Sequence, residues 1–163
     1  MRTREAFLTL IQELDGNISE IKRLEMNNVR AWDRIQSGAV DILDYGALSF
    51  TIHTIYGVLE NYFLRISKFF ENTLPAESWH KTLVERMALE IPGLRPAFIE
   101  DNELKNMILE LLRFRHKFRN LYGEDLKPEK TEAVQKTMEA VLKKLPSAHE
   151  EFRKKISGIA EKV

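Results

Sequence analysis

Tyr45-Gly46-Ala47-Leu48-Ser49-Phe50-Thr51-Ile52-His53-Thr54-Ile55-Tyr56-Gly57-Val58-Leu59-Glu60-Asn61-Tyr62-Phe63 places apolar side chains round nearly the whole circumference of a helix. The pattern extends from about Val40 to Asn72, with Ile42, Leu43, Ile66, Phe69 and Phe70 among its members. A helix apolar on most sides lies at the centre of a bundle or is covered by a partner chain, because it has no face suited to water. Glu60 is its notable mid-helix acid, and Gly46 and Gly57 are read as points of close helix approach.

The segments on either side are also helical, but each has a single apolar stripe. From Thr3 to about Gln36 the apolar positions Phe7, Leu10, Ile11, Leu14, Ile18, Ile21, Leu24, Trp32 and Ile35 step by three and four on most intervals. Ser37-Gly38 ends that helix, since glycine readily takes the left-handed cap conformation. After Thr73-Leu74-Pro75 a shorter helix is expected from about Glu77 to Glu90, and Ile91-Pro92-Gly93-Leu94-Arg95-Pro96 is the clearest loop in the chain. A fourth helix is expected from Asp101-Asn102-Glu103, whose acids suit a helix N-terminus, to about Leu121. Lys127-Pro128 opens a last helical stretch. Pro146-Ser147 is expected to break it, with Ser147 and Glu150 at capping-box spacing. With no strand alternation and no internal repeat, the fold class is all-α: an up-down bundle of four to five main helices in one domain spanning 1–163.

Composition narrows the functions. The 163 residues carry 25 Lys+Arg against 25 Asp+Glu, so no global field draws nucleic acid and any basic footprint must be local. The chain has no cysteine, which removes disulfides, thiolate nucleophiles and Cys-based zinc sites. The start, Met-Arg-Thr-Arg-Glu-Ala-Phe-Leu, does not read as a signal peptide, and no apolar run suits a membrane span. The expected address is cytoplasmic, with no membrane contact.

The local footprint is in the fourth helix. From Lys105 to Arg119 there are five Lys or Arg against one acid, Glu110. At about 100° per residue, Leu104, Met107, Ile108, Leu111, Phe114, Phe118 and Tyr122 share one face, and Arg115 falls inside that sector. An arginine there needs a partner, because an isolated buried charge costs several kcal/mol. Two readings stand: a structural Arg115 paired with a carboxylate such as Glu60, or an Arg115 facing a cleft or dimer seam where it meets an anionic ligand. Basic side chains alternate here with Phe114, Phe118 and Tyr122, a mixture that can hold phosphates and stack on bases.

Arg115-His116-Lys117-Phe118-Arg119-Asn120-Leu121-Tyr122 resembles the signature of HEPN proteins, and specifically of the HepT-like toxins paired with minimal nucleotidyltransferases. That signature runs Arg, a polar residue, a few residues, His, one residue, Tyr, at the end of a late helix. Tyr56-Gly57-Val58-Leu59-Glu60-Asn61-Tyr62-Phe63 is similar to the family's second-helix segment, and Ser78-Trp79-His80 and Tyr122-Gly123 are similar to one HepT-like subgroup. The resemblance implies a homodimer with two motifs facing across a seam and metal-independent RNA cleavage driven by Arg and His. It also implies neutralisation when the nucleotidyltransferase antitoxin adenylylates the motif tyrosine, here Tyr122. The catalytic candidates are then Arg115, His116 and Asn120, with Arg113, Lys117 and Arg119 as RNA-binding residues and no cofactor or metal.

One departure matters. The motif His position holds Asn120, and an amide cannot transfer a proton at neutral pH. Arg115 and Asn120 also lie about 140° apart on an ideal helix, so they meet only if the helix ends or bends there. His116 can supply an imidazole instead. The alternative is a catalytically weak or inactive HEPN module that serves as binding partner and substrate of a nucleotidyltransferase. A third reading is an unrelated bundle with a coincidental basic helix end. His53, His80 and His149 have no metal-ligand spacing and read as surface or satisfied helical histidines.

Overall fold

The computed structural model describes residues 2–71, 73–120 and 126–163. Within them are α1 (Arg4–Gln36), α2 (Ile42–Phe70), α3 (Trp79–Met87), α4 (Asn102–Arg119) and α5 (Pro128–Ala160). The fold is an all-α bundle; the only β pairing among the described residues is the isolated bridge Ile91–Arg95.

Local chemistry sets the helix starts. The Thr3 hydroxyl accepts from the Ala6 amide at the start of α1, and Asp41 with Asp44 forms a reciprocal capping box at α2. The Asp101 carboxylate accepts from Glu103 N at α4, and Pro128 occupies the first turn of α5, where its missing N–H leaves no bond unmade. Past α1, Gly38 has φ +103, a conformation that glycine adopts without strain.

The centre of the bundle is α2, the one helix that packs against all four others among the described residues. Leu48, Ile52, Ile55, Tyr56, Leu59, Tyr62, Phe63 and Ile66 are buried along it. Burying a side chain of this size contributes about 1.5–3 kcal/mol. The sequence left two explanations for the all-round apolar character of α2, and burial at the centre of the bundle accounts for most of it. Most of the helix is core, yet Leu43 is 79% exposed and Phe50 58% exposed on its N-terminal half.

Buried polar groups tie the long helices together in satisfied sets. Asn28 of α1 exchanges hydrogen bonds with Gln135 of α5 at 2.8 and 2.9 Å and donates to Thr51 of α2. His149 of α5 sits between the Tyr62 hydroxyl and Asp15, at 2.8 Å from each.

Two expected boundaries differ. The fifth helix does not break at Pro146; α5 is continuous from Pro128 to Ala160 with Pro146 inside it. An internal proline costs about 3 kcal/mol. Here it lies on the exposed side, while Leu142, Leu145, His149, Phe152 and Ile156 bury one stripe on both sides of it. That shared stripe outweighs the local cap signal of Ser147 and Glu150.

The third helix is also shorter than expected, because its end is claimed from outside. The Met87 carbonyl accepts from both Phe98 and Ile99 amides at 2.9 Å, folding the 88–98 loop back onto the bundle. Arg95 anchors that loop. Its fully buried guanidinium reaches Glu71, the C-cap of α2, at 2.7 Å and donates to the Arg86 and Pro96 carbonyls.

Candidate functional site

The site forms where α4 crosses the middle of α2 and α3 closes over the gap. On α2, His53, Gly57 and Glu60 are spaced four and three apart and so share a face. On α4, Leu111, Arg115 and Phe118 do the same. The two stripes meet at three levels: the His53 and Phe118 rings lie 5.3 Å apart, Arg115 lies over Gly57, and the Arg115 guanidinium faces Glu60.

Gly57 makes the middle level possible. A Cβ at that position would stand 2.7 Å from Arg115 Nη1, so the guanidinium occupies the space where any other residue would carry its side chain. Gly46, which the sequence suggested in the same role, has no atom of the described residues within 4 Å of its ideal Cβ. Tyr56 forms another side of the seat, with Arg115 Cζ 5.8 Å from its ring centroid, inside the range of a cation–π attraction.

Glu60 is buried and stands opposite Arg115, but the approach is loose: Arg115 Nη2 is 3.9 Å from Glu60 Oε1, beyond hydrogen-bond range. The other carboxylate oxygen, Oε2, is held by His80 Nδ1 at 2.7 Å. Among the described residues nothing accepts a hydrogen bond from Arg115, and its buried Nε has no partner. A guanidinium whose side chain is only 18% exposed, with no acceptor among the described residues, is an arrangement that an anion stabilises.

His80 brings in α3. Ser78, at φ 55, turns the chain into that helix, and Trp79 stacks on the His80 ring at 3.6 Å. His116, next to Arg115 on α4, meets His80 edge to face at 5.2 Å. The series Arg115, Glu60, His80, His116 therefore alternates cation, carboxylate and two imidazoles across three helices.

The surroundings shift the titrations. Burial, then the nearby His80, holds His116 below the ordinary histidine value, with Glu60 pulling the other way. His53 is also lowered, by burial and then by Arg115 and Arg119. Burial first, and Glu60 second, raise the Tyr56 hydroxyl, so it stays protonated across the physiological range.

Between α3 and α4 opens a pocket of about 460 Å³ with His80 and His116 on its wall and apolar surface from Leu109 and Leu112. Lys81, Arg113 and Lys117 add positive charge around it. Of the proposed RNA-binding residues, Arg113 and Lys117 thus face this pocket, whereas Arg119 is exposed beyond it, close enough to Arg115's neighbours to influence both His53 and His116.

Asn120 is placed differently from the other candidates. α4 ends at Arg119, and Asn120 is its C-cap, exposed, with its side-chain amide donating to the His116 carbonyl at 2.9 Å. The helix does end where Arg115 and Asn120 would need it to, but the amide closes the helix instead of joining the imidazoles. Tyr122 lies outside the described residues.

A family model described as "HepT-like protein" matches residues 47–156, from within α2 to near the end of α5. The chain belongs to the HepT-like family. The match covers about two thirds of this HepT-like, HEPN-type chain and includes all three helices of the site. No curated protein and no solved structure matches the HepT-like chain. Among its described residues, no group of three or more His, Asp or Glu side chains is arranged to hold a metal ion, and no helix is long and apolar enough to cross a membrane.

His80 is the site residue that sequence reasoning missed. Spacing within the sequence cannot reveal it, since its partners lie on α2 and α4, 20 and 36 positions away. The available signals were the likeness of Ser78-Trp79-His80 to a HepT-like subgroup and Trp79 itself, an aromatic able to stack on the ring.

Proposed function

We propose that this HepT-like chain is an endoribonuclease of the toxin type. In this reading it acts as a homodimer, needs no metal, and is neutralised when a minimal nucleotidyltransferase adenylylates Tyr122. The observation that carries the reading is Arg115: a mostly buried guanidinium over Gly57 with no acceptor among the described residues, and a histidine pair beside it. RNA cleavage needs these groups. The arginine stabilises the charge that builds on the phosphorane oxygens, and a neutral imidazole takes the ribose 2′-hydroxyl proton. The lowered titration of His116 keeps it neutral at pH 7 and so suited to that acceptor role. Arg113, Lys117 and Arg119 supply the local positive charge for the phosphate backbone that the neutral chain as a whole lacks. The exposed Leu43 and Phe50 on the otherwise buried α2 favour a second copy as the homodimer partner.

The test is cleavage of RNA by the purified chain in excess EDTA. Wild type cuts, and Arg115→Ala reduces the rate by about 10²–10³-fold, the range seen when one charge-stabilising donor is removed. Equal cleavage by the variant overturns the reading.

Asn120 supports a second reading. Its amide caps the helix and offers no proton transfer at the motif position. On this reading the chain is a catalytically inactive HEPN module that serves as partner and substrate of a nucleotidyltransferase. Incubation with that partner and ATP then labels Tyr122, and RNA stays intact under every condition. Growth arrest on expression, relieved by Arg115→Ala, contradicts it.

A further inference from the structure

The ribonuclease reading requires two proton transfers, and Asn120 can perform neither. His116 accounts for one. The imidazole that faces it across the α3–α4 pocket has the geometry for the other. His80 is held on two sides: Nδ1 against the Glu60 carboxylate at 2.7 Å, and one ring face against Trp79 at 3.6 Å. A carboxylate on Nδ1 fixes the ring's tautomer and orientation and makes Nε2 the edge that meets a ligand. The ring lines the same pocket of about 460 Å³ as His116, edge to face with it at 5.2 Å. Leu109 and Leu112 give that pocket an apolar surface for a base or ribose, and Arg113 and Lys117 give it charge for the phosphates.

We propose that His80 is the second catalytic imidazole of this HepT-like chain, working with His116 on a nucleotide of an RNA strand seated in the α3–α4 pocket; the proposal rests on the ribonuclease reading. His116 removes the 2′-hydroxyl proton, and the oxygen's electron pair forms a new bond to the adjacent phosphorus. The phosphorus–O5′ bond breaks and its electron pair leaves with O5′. The protonated His80 delivers its Nε2 proton to that oxygen. The products are a 2′,3′-cyclic phosphate and a 5′-hydroxyl end; one proton is taken and one given, so no co-reactant is needed. Glu60 is the positioning residue, since it holds His80 by Nδ1 and stands opposite Arg115 with its other oxygen.

The test compares wild type, Arg115→Ala and His80→Asn on two oligoribonucleotides. One is ordinary RNA. The other carries sulfur in place of the bridging O5′ at the cleavage position, and a thiolate leaves without needing a proton from an acid. His80→Asn is expected to cut ordinary RNA about 10²-fold or more slowly than wild type and to recover most of that loss on the sulfur substrate. Arg115→Ala is expected to be slow on both. Wild-type rates for His80→Asn on ordinary RNA overturn the role of His80 and leave the ribonuclease reading standing. Equal losses on both substrates also overturn it, because they mark His80 as a structural support. No cleavage of either substrate by wild type removes the ribonuclease reading, and the role of His80 with it.

Discussion

Two arginines face carboxylates, one within α2 and one at its C-cap, and they are partnered in opposite ways. Arg95, in the loop before α4, has no exposed side-chain surface, and its guanidinium is taken up by Glu71 at 2.7 Å and by two backbone carbonyls. Arg115, about three turns nearer the middle of α2, stands 3.9 Å from Glu60 with no described acceptor, while His80 holds the carboxylate's other oxygen. The first pair is complete and pins a loop. In the second a guanidinium is kept in place by shape, over Gly57 and beside Tyr56, with no acceptor among the described residues. A satisfied buried arginine contributes to folding; one with no described acceptor, 18% exposed, suits an anion.

The contrast can be broken at either end. Arg95→Ala leaves Glu71 buried without its main partner, and chemical denaturation should show a loss of about 3–5 kcal/mol. Cleavage per folded molecule should stay near wild type. Arg115→Ala should reverse this pattern, with cleavage down about 10²–10³-fold and the denaturation midpoint little changed. If Arg115→Ala unfolds the chain as readily as Arg95→Ala, the two arginines are alike and the contrast fails.

Gly57→Ala sharpens it with a smaller effect. The new methyl displaces the guanidinium by contact with Nη1, and a shift of about 1 Å in a catalytic group lowers turnover about 10²-fold. Alanine favours the helix by about 1 kcal/mol over glycine, so stability should hold or rise. Full activity in this variant would mean that the seat over Gly57 is not required.

The smallest effect expected is the pH response. His116 is held below the ordinary histidine value by burial and His80, with Arg115 and Arg119 adding to the effect and Glu60 opposing it. The rising limb of kcat/KM, which reports the base losing its proton, should therefore lie on the acid side of the value for a free histidine. Stability should respond in the matching direction. With both His116 and His53 lowered in the folded state, the unfolded chain binds more protons near the ordinary histidine value. Their contribution is intact above that value and lost as pH falls through it. Thermal melting from about pH 7.5 down to about pH 5 should show this loss, and His53→Gln should reduce it.

How much of this the sequence could reveal depended on whether the cause was local. The central role of α2 was legible because its cause is an unbroken apolar circumference. The helix starts at Asp41, Asp101 and Pro128 follow from side chains within a few residues. The continuity of α5 through Pro146 was not legible, since a capping pattern at Ser147 and Glu150 argues for a break and the opposing term is burial against other helices. Arg95 was read only as part of a proline-rich loop, because nothing in the loop's composition shows Glu71 waiting 24 residues upstream. Arg115 and Glu60 could be paired on paper from the helical wheel, but the space that Gly57 leaves for the guanidinium, and the claim of His80 on the carboxylate, depend on how three helices meet.

The central claim is that the donors of Arg115 are open to an anion and those of Arg95 are not. The most direct measurement follows the side-chain Nε–H resonances of both arginines by ¹⁵N NMR while a non-cleavable 2′-O-methyl oligoribonucleotide is added to the full chain. The account predicts that the Arg115 resonance shifts and saturates while that of Arg95 stays where it is. An Arg115 resonance that does not move, or two that move together, would contradict it.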